Sequence, residues 1–439
     1  MGSCVPSTSK ERQEMLESIG HSSIDELFAH IPDELKLNRE LNLPSGKSEM
    51  EVSRLMNQIA SHSVVFQSIF RGAGAYDHYI PSIVKSVTSK EEFITSYTPY
   101  QAEISQGVLQ SIFEYQTMIC ELTGMDVSNA SVYDGATAAA EAVNMCCERS
   151  RNIVFLSEAA HPDVISVVKP YCWAAGHQIV MLPVKDGKTD LEPMKAQLDK
   201  KTSACLYLQS PNFFGQLEEV EQGAELIHSV GAKLIVGCNP IALGLLKTPA
   251  EQGADIAVGE GQPLGMPLSF GGPYLGFMAA TSAMMRKLPG RIVGETTDVD
   301  GKRAFVLTLQ ASEQHIRREK ASSNICSNQA LCAMTAAVYL AAMGPQGLRQ
   351  AAILCYQKAH YLAEQLASVP GVTLKYQGSF FHEFVTEQKD SEKLLAALEK
   401  QGILGGYPLE DGSILWCATE KNTKEDMDRV VEIIRKELM

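Results

Sequence analysis

Short, uninterrupted apolar runs alternate with helical patterns through the middle of the chain. The apolar runs cover residues 153–156, 179–182, 204–208, 234–236 and 256–258, with a further run over 274–276. Apolar residues at helical spacing lie between them, near 162–175, 191–200 and 219–230. Strands that are apolar on both faces are typical of a parallel sheet covered by helices on both sides. The pattern therefore predicts a doubly wound, mainly parallel α/β domain.

The two ends of the chain show other patterns. The first 70 residues or so are typical of helices, with apolar residues at helical spacing over 51–66. Near the C-terminus, helical patterns over 328–343 and 345–366 precede strands near 372–374, 381–385 and 414–419. We therefore predict a helical N-terminal arm and interface segment over 1–95, a large α/β domain over 96–325 and a small α+β domain over 326–439.

Composition narrows the class of protein. The chain has 439 residues, of which 45% are hydrophobic, and this is enough to bury a large core. The net charge of -14 argues against a nucleic-acid partner, because binding phosphates needs clustered lysine and arginine. We find no apolar run of the roughly 20 residues that cross a bilayer, and no signal peptide. These features predict a cytoplasmic protein with no membrane partner.

The eleven cysteines include no CxxC pair, and most lie in apolar segments. Reduced, buried thiols in a cytosolic protein account for this distribution better than disulfides or a zinc site do. We therefore predict no metal site.

The stretch from 233 to 276 has the layout of a cofactor site. Ligands of a doubly wound sheet gather at the carboxyl ends of its strands. In pyridoxal-phosphate enzymes of the aminotransferase-like class, one strand end usually carries an Asp that pairs with the pyridine nitrogen. A second carries the lysine to which the cofactor is attached. Here Asn239 stands at the first position, and Gln262 and Pro263 lie near the second.

No lysine lies between the second strand of this stretch and its end at residue 276. Lys247 comes too early, inside the helix before that strand, and Lys287 comes too late. The strand near 414–419 also has no arginine, although many relatives of this fold place a carboxylate-binding arginine nearby. The sequence therefore predicts no catalytic residue in this chain.

Two further positions resemble parts of a cofactor site. The helix that begins near Asp134 offers free backbone N–H groups and the Thr137 hydroxyl, which could hold a phosphate. The alternative is that Asp134 simply caps the helix, and its charge would repel a phosphate. His161 follows a strand where a ring could stack over a flat cofactor. We favour the alternative that His161 begins the next helix, just before Pro162.

Aromatic and charged segments outside the predicted sheet give other candidates. Tyr97 and Tyr100 flank a rigid Thr-Pro, followed by Gln101, and ligand pockets use such flat and hydrogen-bonding groups. The glycine-rich segment 71–81 is weak evidence by itself, since a surface loop has the same composition. The charged segment 313–320, with Arg317 and Arg318, is either a solvated helix face or a surface that faces an acidic partner.

Segments 72–81, 97–107, 259–265 and 313–320 together closely resemble the P-protein family of the glycine cleavage system. The resemblance is to chains homologous to the N-terminal half of that protein. It implies the aminotransferase-like fold type I and an α2β2 assembly in which a homologous second subunit holds pyridoxal 5'-phosphate on its lysine. In this family the complex decarboxylates glycine and passes the aminomethyl group to the lipoyl arm of the H-protein.

The resemblance also assigns expected roles to residues of this chain. Tyr97, Tyr100, Gln101, Gly271 and Gly272 are expected to form a wall of the partner's pocket at the subunit interface. A vestigial cofactor site is expected at Asp134, Thr137, His161 and Asn239. Three alternatives stay open: packing of the tyrosines at an interface, a purely structural scaffold subunit, and a self-contained lyase that uses another lysine.

Overall fold

The computed structural model describes residues 6–94, 98–269, 271–309, 314–321, 323–325 and 327–439. The helices in these ranges are α1 Ser9–Ser18, α2 Glu49–Ala60, α3 Ser82–Thr88, α4 Glu91–Ile94, α5 Gln106–Thr123, α6 Gly135–Cys146, α7 Pro162–Ala175, α8 Glu192–Lys195, α9 Val220–His228, α10 Gln314–Arg317, α11 Ala330–Ala367, α12 Ser391–Glu399 and α13 Lys424–Leu438.

The strands of the same ranges are β1 Ser68–Ile69, β2 Val127–Ser128, β3 Ile153–Ser157, β4 Gln178–Leu182, β5 Val184–Lys185, β6 Lys188–Thr189, β7 Ser203–Gln209, β8 Lys233–Gly237, β9 Ile256–Glu260, β10 Gly276–Ala280, β11 Ile292–Thr297, β12 Arg303–Thr308, β13 Thr373–Leu374, β14 Glu383–Glu387, β15 Ile403–Leu404, β16 Tyr407–Pro408 and β17 Ile414–Cys417.

A seven-stranded sheet in the order β2-β10-β9-β8-β7-β3-β4 forms the centre of the chain. The five strands from β9 to β4 are parallel, whereas β10 is antiparallel to both of its neighbours. This is the predicted doubly wound, mainly parallel sheet. Strand β10 begins at Gly276, later than the apolar run over 274–276 suggests. The backbone N–H of Leu275, just before it, donates to the Glu260 carboxylate instead of to a neighbouring strand.

The sheet is buried on both faces, and alternate residues of its central strand show this. Leu206 and Leu208 of β7 belong to the core on one face, and Cys205 and Tyr207 belong to the core on the other. All four side chains are at most 2% exposed. Successive side chains of a strand point to opposite faces of the sheet, and both faces are covered by apolar residues. This explains why the strands are apolar at every position.

A second sheet of four antiparallel strands, in the order β13-β14-β17-β16, lies near the C-terminus. Helix α11 leads into it and has non-helical backbone at Gly344, just before Pro345, where the sequence predicts the boundary between two helices. Strand β1 pairs in parallel with β15, so the chain near residue 68 joins the C-terminal part. The domain boundaries at 95 and 325 stay predictions.

The chain divides into two compact units, residues 1–64 and residues 65–439. In the first unit, α1 and α2 each begin with a capping box, in which Thr8 or Ser48 exchanges hydrogen bonds with the glutamate three residues on. Local hydrogen bonds therefore define these helices. None of the described residues of this unit is buried.

Within the described ranges, one helix, α11, is long and apolar enough to cross a membrane. Such a helix is weak evidence, because a core helix of a soluble protein passes the same test. Ala333 and Tyr339 in its first half and Leu362 in its second are completely buried in the protein cores. We therefore interpret α11 as a core helix.

Candidate cofactor-like site at the strand ends

The side chain at the end of β8 is used by a local turn. Asn239 Oδ1 accepts hydrogen bonds from the backbone N–H of Ile241, at 2.9 Å, and of Ala242, at 3.3 Å. Asparagine commonly stabilises turns in this way. An amide in this role lacks the negative charge that pairs with a protonated pyridine nitrogen.

A buried amide, that of Gln262, lies near the position where the lysine is expected. Gln262 is 1% exposed, and its Oε1 accepts from Tyr76 N–H at 2.9 Å. Its Nε2 donates to the carbonyl oxygens of Tyr76, at 2.9 Å, and Met266, at 2.8 Å. Pro263 is buried next to it. The turn after β9 is therefore held to the segment around Tyr76 through two hydrogen bonds, and the third closes the turn itself.

The two lysines that flank this stretch in sequence form surface ion pairs. Lys247 Nζ lies 2.6 Å from Glu221, with both side chains more than half exposed. Lys287 Nζ lies 2.9 Å from Glu148. Both lysines therefore form ion pairs at the surface.

The N-terminus of α6 binds carboxylates that belong to the chain itself. Asp134 Oδ1 accepts from Thr137 N–H at 2.7 Å, and Glu260 Oε2 accepts from Gly135 N–H at 3.0 Å. The other oxygen of Glu260 accepts from the N–H groups of Gln262 and Leu275, each at 3.0 Å. Helix N-termini favour anions, and here two side-chain anions take that place.

Burial raises the pKa of Glu260 to about 7, although its three backbone N–H donors act in the opposite direction. A phosphate at this helix end would have to displace Glu260 and would also meet Asp134. The residues present therefore do not fit pyridoxal phosphate: the lysine is missing, the amide of Asn239 is uncharged, and the helix end is filled.

His161 is the residue before α7, as favoured from the sequence. Its Nδ1 accepts from Asp163 N–H at 3.1 Å, which places the ring proton on Nε2. Nε2 then donates to the carbonyl oxygen of Ala73 at 2.8 Å. The edge of the ring is therefore bonded to another part of the chain, and these two hydrogen bonds fix its orientation.

Residues 71–81, here called the closing segment, are bound by His161 and Gln262. The segment is also bound by Glu383 of β14, which accepts from Ala73 N–H at 2.7 Å and from the Tyr76 hydroxyl at 2.8 Å. Burial raises the pKa of Glu383 to about 7, and burial together with Glu383 raises the pKa of Tyr76. The closing segment thus connects the strand ends to the four-stranded sheet.

The glycines of the closing segment permit close approach. A Cβ on Gly74 would lie 2.6 Å from His161 Nε2, and one on Gly72 would lie 2.4 Å from a Glu383 oxygen. Gly74 also has φ of +104°, which favours glycine. The GxG pattern in this chain therefore serves internal packing.

Tyr100 belongs to a different cluster. Its side chain is 50% exposed, and its hydroxyl accepts from Arg291 Nη2 at 2.5 Å. The guanidinium carbon lies 4.8 Å from the ring centroid, within the range of a cation–π interaction. Arg291 itself is 4% exposed, and Nη1 donates to Asn328. Gln101 is exposed, and Tyr97 lies outside the described residues.

The turn at Gly271 and Gly272 lies at the surface. Both have positive φ, +93° and +154°, and a Cβ on Gly271 would meet no atom within 4 Å. The Ser269 hydroxyl donates to the carbonyl oxygen of Gly272 at 3.1 Å. The backbone of this turn is therefore accessible to a neighbouring molecule.

Arg317 of the charged segment lines an open cleft of about 310 Å³ together with Arg286, Lys320 and Glu141. Burial raises the pKa of Glu141 to about 7, against the effect of its hydrogen bond from Ser323. This surface is mainly cationic. Both interpretations of Arg317 and Arg318, a solvated face and a partner surface, stay open.

Two acidic residues that organise the site were not predicted from the sequence. Glu260 is a charged residue in the turn that ends an otherwise apolar strand, and that contrast could have identified it. Glu383 had no such signal, because its partners Ala73 and Tyr76 lie about 310 positions away in sequence.

The buried carboxyl of Glu260 predicts a pH-dependent contribution to stability. Its pKa is about 4.5 when unfolded and about 7 when folded, so the folded chain binds the proton more tightly. This contribution is complete below about pH 4.5 and is lost as the pH rises through about 7. The free energy of unfolding of wild type minus that of Glu260→Gln should therefore fall, on the order of 1–3 kcal/mol, between about pH 5 and pH 8.

Urea unfolding followed by circular dichroism at several pH values measures this difference. Glu251→Gln is the control, because hydrogen bonds from Thr248 already lower the pKa of this exposed carboxyl. Its difference from wild type should stay constant over the same range. An equally constant difference for Glu260→Gln would show that Glu260 does not titrate there.

Known proteins resemble this chain over nearly its whole length. The sequence matches the family described as glycine cleavage system P-protein over residues 3–434. A probable glycine dehydrogenase (decarboxylating) subunit 1 from Carboxydothermus hydrogenoformans is 52% identical over an alignment of 439 positions that covers 98% of each chain. One from Moorella thermoacetica is 50% identical over an alignment of the same length, which also covers 98% of each chain.

Solved structures agree with these matches. The crystal structure of a glycine decarboxylase (P-protein) of the glycine cleavage system, in inhibitor-bound form, has a TM-score of 0.93 and 42% identity. It covers 99% of this chain and 100% of that one. A sphingosine-1-phosphate lyase from Burkholderia pseudomallei, at 14% identity and a TM-score of 0.67, shares the fold alone and covers 92% of this chain and 93% of that one. The predicted pyridoxal-phosphate fold type I is confirmed, and the chain belongs to the glycine cleavage system P-protein family.

Proposed function

We propose that this chain is the subunit of glycine dehydrogenase (aminomethyl-transferring) that does not carry the cofactor. A homologous second subunit would hold pyridoxal 5'-phosphate, and the complex would decarboxylate glycine and pass the aminomethyl group to the lipoyl arm of the H-protein. The relatives named subunit 1 support this division of labour. We further propose an α2β2 assembly in the cytoplasm, and that this chain alone is inactive.

The proposal rests on one observation: side chains of this chain itself fill the site at the ends of β8 and β9 and the start of α6. Gln262 and Pro263 lie near the expected position of the lysine, and Glu260 fills the helix end where a phosphate would bind. A chain with this arrangement keeps the fold of its family while its own side chains occupy the site. In the proposal the loss of carbon dioxide takes place on the second subunit, and no bond-breaking step belongs to this chain.

The contribution of this chain would come from exposed groups near the subunit interface. Tyr100 and Gln101 offer a hydroxyl and an amide at the surface, and the turn at Gly271 and Gly272 offers exposed backbone at Gly271, since the Gly272 N–H donates to the carbonyl oxygen of Ser269. Arg291 holds the Tyr100 ring and hydroxyl in one position, so the group is preorganised. With Tyr97, these residues would form a wall that orients glycine or the cofactor phosphate and excludes water.

The N-terminal unit has the properties of a surface that binds a partner. On α2, Val52, Leu55, Met56 and Ile59 follow the spacing of a single helical face, and each is at least 44% exposed. Such an apolar face is costly to leave in water, and large exposed apolar patches mark interaction sites. We propose that the second subunit covers it.

Reconstitution tests the proposed function. The second subunit, lipoylated H-protein, pyridoxal phosphate and glycine are mixed with and without this chain, and exchange of labelled bicarbonate into glycine is measured. We expect exchange only with both subunits, and at least about 100-fold less without this chain, because half of the pocket would be missing. Exchange by this chain alone would instead indicate a self-contained lyase.

Variants in the same assay test the proposed wall. Tyr100→Phe and Gln101→Ala should each raise the KM for glycine or lower kcat by about tenfold, the effect of losing one hydrogen bond to a charged group. Tyr356→Phe, another partly exposed tyrosine, is the control. Full exchange by both variants, with assembly unchanged, would leave only a scaffold role.

Substitution of the apolar face of α2 tests the partner surface. Leu55→Ser combined with Ile59→Ser should weaken binding to the second subunit by at least about tenfold, because two apolar side chains would no longer be buried. The melting temperature of the isolated chain should not change, since both side chains are exposed. Isothermal titration calorimetry measures the binding.

Asn57→Ser is the matched control on the opposite face of α2, where the side chain is also exposed. It should bind the second subunit with wild-type affinity. Wild-type affinity of the double variant would show that α2 lies outside the interface.

A further inference from the structure

A buried cluster outside the strand-end site joins three distant parts of the chain. His78 lies in the closing segment, Cys355 lies in the second half of α11, and Glu420 follows β17. His78 Nδ1 and a Glu420 oxygen are 2.8 Å apart, and Cys355 Sγ lies 3.3 Å from the same oxygen. The imidazole, thiol and carboxylate ligand atoms all lie within 4.8 Å of one another.

The cluster is enclosed by protein. Cys355 is completely buried, the His78 side chain is 1% exposed and the Glu420 side chain is 12% exposed. The other Glu420 oxygen accepts from Tyr79 N–H at 2.7 Å, and this contact fixes the direction of the carboxylate. The positions of the three side chains are therefore set by the fold.

A second observation concerns the hydrogen-bonding capacity of the neighbouring imidazoles. His78 Nε2 is buried without a hydrogen-bond partner among the described residues, and so are both ring nitrogens of His382. The His382 ring stacks at 6.4 Å from that of His78 and is 1% exposed. Buried polar atoms without partners are rare in native proteins. His78 Nε2 lies on the ring edge away from Nδ1, so it faces away from the cluster and can carry the ring proton when Nδ1 binds a ligand.

The geometry points to a binding site for one divalent transition-metal ion of the zinc type at His78, Cys355 and Glu420. Zinc bonds of about 2.0–2.3 Å at tetrahedral angles place ligand atoms about 3.3–3.8 Å apart. The Cys355–Glu420 separation of 3.3 Å already matches this range, and the His78–Glu420 separation of 2.8 Å would have to widen as the ion enters. The ion would replace the protons now shared with Glu420, and the ring proton of His78 would move from Nδ1 to Nε2. The Cys355 thiol would lose its proton to solvent as the metal–sulfur bond forms.

Nitrogen, sulfur and oxygen ligands together select zinc over magnesium or calcium, which prefer oxygen alone. A bound ion would join the closing segment to α11 and to the loop after β17, and its role would be structural. The site is not readable from the sequence, since its ligands stand at positions 78, 355 and 420 with no local spacing. It departs from our prediction of no metal site.

Titration with Co²⁺ tests the site directly, because a cobalt–thiolate bond gives a near-ultraviolet charge-transfer band. The full-length chain, purified and dialysed against chelator, should bind one equivalent of Co²⁺ with this band, and Zn²⁺ should displace it. Cys355→Ser should abolish the band and weaken Zn²⁺ binding by more than the about 10–100-fold that loss of an outer partner costs.

Cys332→Ser is the matched control, since Cys332 is also a buried cysteine of α11 and lies outside the cluster. It should keep the band and the one-to-one stoichiometry. If Cys355→Ser does not fold, the wild-type chain still decides the matter by its cobalt spectrum and its zinc content under native mass spectrometry. A wild-type chain that shows neither, or a band that persists in folded Cys355→Ser, would overturn the proposal.

Discussion

The carboxylate of Glu260 is the main group that fills the site at the strand ends. Its two oxygens accept hydrogen bonds from Gly135 at the start of α6, from Gln262 after β9 and from Leu275 before β10. One side chain thus satisfies backbone donors of three elements where they converge. Without it, three buried or half-buried N–H groups would need another hydrogen-bond acceptor.

The other contacts extend the same closure. Gln262 and His161 bind the backbone of the closing segment, and Glu383 holds that segment from the small sheet. The glycines of the segment allow these contacts at distances that a Cβ would block. The fold of a cofactor enzyme is thereby retained while its internal site is filled by the chain. The surfaces that we propose for function are Tyr100, the glycine turn and the N-terminal unit.

The fold could be predicted from the sequence because β3, β7, β8 and β9 are apolar on both faces, a pattern that few architectures besides a covered parallel sheet produce. The sequence alone also shows that no lysine lies between the start of β9 and residue 276, since this requires no knowledge of the fold. The replacement contacts were not, because Glu383 and the closing segment are adjacent only after folding. The predicted phosphate donors near Thr137 exist as N–H groups, but Asp134 and Glu260 occupy them, and Glu260 reaches them only once β9 packs beside α6.

Covalent capture of pyridoxal phosphate by each purified subunit tests most directly whether this chain has given up its cofactor site. Each subunit is incubated separately with one equivalent of the cofactor and reduced with borohydride, and labelled peptides are counted by mass spectrometry. We expect one labelled lysine in the second subunit and no stoichiometric labelling in this chain. Stoichiometric labelling of a single lysine in this chain would contradict the closed site described above.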